Sequence, residues 1–196
     1  MHRFAALIIA SAAATTPAQA QRATEFRISG TVEKLDGSLV ALSLSQGISL
    51  VVRLDSEPQV NSVAKGSGSD LKAGSQVSAQ AKSGQGGDLI ATQIVLFAPG
   101  SHRPDADTGS DSTQRVATIK KVDTSGEGPV LTVAEKNEDR KITIGADTAI
   151  WIARAARITD FKVGSAVTMT AETREDGSLH VLRASIGPAG ARNPPL

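Results

Sequence analysis

Asp105, Asp107 and Asp111 follow one another in the stretch "HRPDADTGSD" (102–111). Carboxylates at such spacing imitate the opening of a calcium loop, where oxygens from alternate residues converge on a hard cation. The imitation stops early. Position 109 is Gly where a third acid should stand, and Val116 occupies the twelfth position, where a bidentate Glu belongs. A solvated Asp/Gly/Ser linker accounts for the same composition. No metal and no other cofactor is therefore expected, and these three aspartates are the residues a bound cation would use.

The other chemistry-bearing residues are sparse. Beyond the first twenty positions the chain has only His102 and His180, and no Cys with which to complete a zinc set. Ser is common, but no G-x-S-x-G elbow occurs and neither His has an evident carboxylate to orient it. "KGSGSDLKAG" (65–74) is glycine-rich yet lacks the G-K-[ST] ending of a phosphate loop. No catalytic residues are assigned, and the chain is read as a non-enzyme. A possible ligand patch is Trp151 with Arg154 and Arg157, in "AIWIARAARI". The preferred reading makes Trp151 a core residue under a basic rim. Phe26, Phe97 and Phe161 are assigned to cores.

What would position these residues begins with what is removed. "MHRFAALIIASAAATTPAQA" (1–20) has a basic start, a short apolar run and an Ala18-Gln19-Ala20 cleavage site, the pattern of a secretory signal. A membrane anchor would need roughly 20 apolar residues, more than this run supplies. The mature chain should begin near Gln21 and be periplasmic or secreted, with no membrane span. It has no Cys, so burial alone must stabilise it. Beyond Arg3 the acidic and basic residues balance at 20 each. That balance argues against nucleic acid as a partner.

The chain also repeats itself. "DLKAGSQV" (70–77) returns as "DFKVGSAV" (160–167), ninety positions on. "SGTVEKLDG" (29–37) aligns with "VATIKKVDT" (116–124), and "GGDLIATQIVLFAPG" (86–100) with "EDGSLHVLRASIGPAG" (175–190). An internal duplication follows. Within each unit apolar residues alternate with polar ones, as in Val40, Leu42, Leu44 and in Leu131, Val133. That is strand periodicity.

Strands are predicted near 26–35, 39–45, 47–54, 75–82 and 88–97. Their counterparts fall near 115–122, 130–136, 140–145, 166–173 and 178–186, with a short extra strand near 60–63 or 150–152. Five strands with a long third connection predict an all-β chain of two tandem small OB-like β-barrels, with SH3-like barrels as the alternative. The boundaries are signal 1–20, first barrel 21–99, linker 100–114, second barrel 115–190 and tail 191–196.

The twice-written phrase then reads as a structural corner. Asp70 and Asp160 would cap a helical turn, Leu71 and Phe161 would each plug their own barrel, and Gly74 and Gly164 would end the turn. Val77 and Val167 would start the next strand. The alternative is a ligand loop using Lys72 and Lys162.

The G-x-V strand, D-L-K-x-G-x-x-V corner and D-G-x-L-x-A strand resemble a bacterial family of secreted domain-of-unknown-function proteins with OB-like repeats. Gly30, Val32, residues 70–77, Gly164 and 176–179 carry the resemblance, with the linker residues 100–104 and 112–113. The chain departs from that pattern at Asp105, where relatives carry Trp. The expected function is non-catalytic binding or assembly in the cell envelope, with an unknown envelope protein or ligand as partner. The alternative is a periplasmic small-ligand or metal-binding carrier that uses the acidic linker.

Overall fold

In the computed structural model of the chain, the described residues are 25–54, 57–84, 89–103, 115–125, 128–135, 138–191 and 194–195. The expected signal peptide, the mature terminus at Gln21 and the linker acids Asp105, Asp107 and Asp111 lie outside them. The fold is all-β. Among the described residues eleven strands form in chain order: β1 (Glu25–Asp36), β2 (Leu39–Ser43), β3 (Ser49–Arg53), β4 (Gln59–Lys65), β5 (Gln76–Ser83), β6 (Leu89–Phe97), β7 (Arg115–Asp123), β8 (Val130–Glu135), β9 (Glu138–Ala156), β10 (Ala166–Thr173) and β11 (Leu179–Gly187). Among the described residues no helix is long and apolar enough to cross a membrane.

Alternation explains the strands individually. On β1, Ile28 and Val32 point inward and Arg27 and Thr31 outward, and on β2 Val40 and Leu42 are fully buried. A bulge between Val32 and Lys34 bends β1 over β2. Here the backbones come so close that a Cβ at Gly30 would stand 2.6 Å from the carbonyl oxygen of Ser43. β9 fuses two stretches that the sequence pattern keeps apart, 140–145 and 150–152. Thr148 carries the strand across the junction: its hydroxyl accepts from the Gly145 N–H (2.9 Å) and donates to the Ala91 carbonyl (2.7 Å).

All eleven strands belong to one sheet, in the order β10-β1-β2-β3-β11-β4-β9-β6-β5-β7-β8, and further pairings join β10 to β11 and β9 to β8. The pairings therefore close twice. One circuit is β1-β2-β3-β11-β10, sealed between β3 and β11 by the Arg53–His180 pair. The other is β5-β6-β9-β8-β7. Each circuit takes three strands from one repeat and two from the other. The expected boundaries 21–99 and 115–190 follow the duplication, whereas the hydrogen bonding crosses between the repeats. Between the circuits β4 lies antiparallel to the end of β9, with Val63 opposite Ala153. Those two residues are ninety positions apart, the repeat offset, so a pseudo-two-fold axis passes between them.

The cores obey the same exchange. Ile28, Val32, Val40, Leu42 and Val52 of the first repeat pack with Phe161, Val167, Met169 and Val181 of the second. Leu71, Val77 and Ile94 of the first pack with Ile119, Leu131 and Ile142 of the second. Leu71 and Phe161 are thus buried plugs, but each fills the circuit built mainly from the other repeat. Phe97 is buried, with Val63, Val95, Trp151 and Ala153, where the circuits meet. Phe26, assigned to a core by its type, is 44% exposed at the start of β1.

The duplication is imperfect at one buried pair. Thr168 faces Ser29 across β10 and β1, and their hydroxyls share a hydrogen bond of 3.1 Å. The equivalent Ser78 faces Val116 across β5 and β7, and its buried hydroxyl has no partner among the described residues. A buried hydroxyl without a partner costs about 1–3 kcal/mol. Ser78→Ala should therefore raise stability by roughly 1 kcal/mol. The check is a higher urea midpoint at unchanged slope.

Candidate binding groove

An open groove of about 1090 Å³ lies where β1 and the end of β2 face β5, β6 and the C-terminal segment. The outward-facing Arg27 and Thr31 of β1, with Ser43 and Ser45, form one wall. Gln80 and Gln93, paired across β5 and β6, form the other. Ala191 and Pro195 line it as well. Arg27 is exposed by area, yet desolvation of its guanidinium lowers its pKa from the ordinary arginine value. It remains a cation. Among the described residues the groove presents hydroxyls, carboxamides and one positive charge beside the aliphatic Ile28 and Leu44, with no aromatic ring. Such walls can hydrogen-bond a polar ligand of neutral or weakly anionic character. They do not offer the stacking platforms that single-stranded nucleic acid uses.

The residues singled out by sequence are distributed elsewhere. Trp151 is 9% exposed in the cluster with Val63, Val95 and Phe97, so its ring is not on a recognition surface. The patch of Trp151, Arg154 and Arg157 is not assembled, because alternation on β9 turns Arg154 out where Trp151 turns in. Arg154 instead joins Asp70 and Lys72 around a shallow pocket of about 280 Å³ beside the first corner. Arg157 begins the second corner, where its backbone N–H donates to the Asp160 carboxylate at 2.7 Å.

Both corners differ from expectation in one detail. Asp70 and Asp160 stand at the end of a single 3-10 turn, not at its start. The Asp70 carboxylate reaches back to accept from the Ser67 N–H (2.8 Å) and hydroxyl (2.9 Å). Those bonds, then the nearby Lys72 and Arg154 charges, hold Asp70 below the usual carboxylate range. Gly74 (φ +84°) and Gly164 (φ +88°) occupy the left-handed region, as a turn ending there requires. Leu71, Val77, Phe161 and Val167 are buried, whereas Lys72 and Lys162 are exposed.

The histidines have structural surroundings. The backbone of His102 is held by Asn61 of β4: the Asn61 amide donates to the His102 carbonyl (2.7 Å) and accepts from its N–H (3.0 Å). His180 does have a hydroxyl and a carboxylate nearby, which the sequence reading missed. Its Nε2 lies 2.9 Å from the Ser178 hydroxyl, and that hydroxyl donates to Asp176. The order is carboxylate–hydroxyl–imidazole. A general-base relay needs the imidazole in the middle, accepting the hydroxyl proton. Here the proton points at Asp176, in the turn before β11, and Ser178 holds that carboxylate below its usual range.

Among the described residues no group of three or more His, Cys, Asp or Glu could hold a metal ion. The groove was not legible beforehand, because outward Ser and Gln on a strand read as ordinary solvated positions. No family model, curated protein or solved structure matches the chain. Its own geometry carries the functional reading.

Proposed function

We propose that this chain is an exported, non-catalytic binding or assembly protein of the cell envelope, built on two OB-like barrels that exchange strands. The observation that carries this reading is the groove of about 1090 Å³ between the circuits, walled by Arg27, Thr31, Gln80 and Gln93. Its walls come from both circuits, so the exchange holds them in fixed relation. A rigid site of this kind limits the ordering cost of binding. The balanced charge beyond Arg3 and the hydroxyl-amide lining favour a polar envelope component over nucleic acid.

The test is crosslinking in the cell. A photoreactive residue at Gln93 should trap a defined envelope component, and the adduct should disappear when Arg27 is changed to Glu. The same probe at Lys162, on the exposed corner, should trap nothing defined. Adducts from position 162 with none from position 93 would transfer the site to the corner, as the ligand-loop alternative requires. Recovery of the chain only from the cytoplasm would end the envelope reading.

A further inference from the structure

The outer flank of β3 is open. β3 pairs along its length with β2, but with β11 only through Arg53 and His180. The Leu44 N–H donates to the Ile48 carbonyl and the Leu54 N–H to the Ser38 carbonyl. The even-numbered residues of β3 therefore spend their backbone groups on β2, and alternation turns those of Ser49 and Val51 outward. Among the described residues no strand pairs with that flank of Ser49–Val51. Proteins ordinarily blunt such an edge with charge. The second repeat does so: β9 begins to pair with β6 at Ile142, and the positions before it read Glu138-Asp139-Arg140-Lys141. At the same offset of ninety, the first repeat reads Ile48-Ser49-Leu50-Val51. Ile48 is 56% and Val51 55% exposed.

We infer that this flank is the docking edge for a second copy of the chain, with β3 pairing antiparallel to β3 about a two-fold axis at Leu50. The geometry is self-complementary, as a two-fold interface requires. Ser49 of one copy stands opposite Val51 of the other, and because both point outward each such pair exchanges both of its N–H···O bonds. Charge fits as well. Ser49 donates its hydroxyl to Glu33 at 3.1 Å. Arg53 lies two residues beyond Val51 on the same exposed face. In this register Arg53 of one copy lies diagonal to Ser49 of the other, and so beside that copy's Glu33, twice by symmetry. This inference is independent of the groove.

Sedimentation velocity of the mature chain over a rising concentration series tests it. The chain should pass from monomer to dimer. Val51→Lys should weaken the dimer at least tenfold, corresponding to about 1.4 kcal/mol, while leaving the melting temperature at monomeric concentrations unchanged because the site is exposed. Arg53→Glu and Glu33→Arg should each weaken it, and the two together should restore it, which a purely structural role would not produce. A monomer at every concentration, a dimer indifferent to Val51→Lys, or an edge that captures only an unrelated protein would each overturn the inference.

Discussion

A protease site placed in the linker 104–114 and cut to completion should leave the two halves bound to each other under native conditions. The reason is the exchange of strands. β1 holds β10 through seven registered pairs from Glu25–Glu172 to Thr31–Ala166. β5 holds β7, β6 holds β9, and β4 holds both β9 and β11. All of these join one repeat to the other. Separation would expose both mixed cores at once, and each strand edge would lose its partner. The cut protein should elute at its uncut size and come apart only in denaturant. Its unfolding midpoint should become concentration-dependent, because dissociation has become part of unfolding. Two half-sized species after native cleavage would mean that each repeat closes its own circuit, and the pairing described above would fail.

That exchange is the part of the fold the sequence could not disclose. Alternation such as Val40-Leu42 or Leu131-Val133 says which face of a strand is buried, and the eleven strands fall close to where it places them. It does not say which neighbour supplies the edge. A duplicated chain offers each strand two near-identical partners, so β10 carries the same pattern as β5 and either could pair with β1. The choice is made at the third connection. In the second repeat β9 runs unbroken from Glu138 to Ala156: its first part pairs with β8 of its own repeat, its end lies beside β4, and the corner that follows enters the other circuit. In the first repeat β3 and β4 stop and restart, but β4 keeps the same course beside β9.

The site shows the same division. Trp151 is buried as its sequence context favours, and the plugs Leu71 and Phe161 are buried as their apolar bulk requires. Phe26 shows the limit of residue type: near the start of β1, opposite Ala171 of β10, its ring stays largely exposed. Arg27, Gln80 and Gln93 come from distant stretches that only the exchange brings together. Their outward positions gave no signal in a single strand. The contrast between Ile48–Val51 and 138–141 was legible as letters, but it acquired meaning only once both were seen on equivalent strand flanks.

The corner phrase gives the sharpest separation between following the repeat and following the circuits. Phe161 shares one core with Ile28, Val32, Val40, Leu42 and Val52, and Leu71 shares the other with Ile119, Leu131, Val133 and Ile142. Truncating a buried Leu or Phe to Ala costs about 2–5 kcal/mol. That is large against the roughly 5–15 kcal/mol that typically holds a domain together. Phe161→Ala should therefore remove amide protection from β1, β2 and β3 together with β10 and β11, while β7 and β8 keep theirs. Leu71→Ala should do the converse, loosening β7, β8 and β9 with β5 and β6 while β1 and β2 hold. Lys72→Ala and Lys162→Ala sit on exposed side chains and should change stability by less than about 0.5 kcal/mol. Hydrogen exchange read strand by strand decides the matter. If Phe161→Ala loosens β7 and β8 and spares β1 and β2, the plug serves its own repeat and the mixed core is wrong. If it loosens β1 and β2, a residue in the second half of the chain holds the first half's strands closed, as the packing around its ring requires.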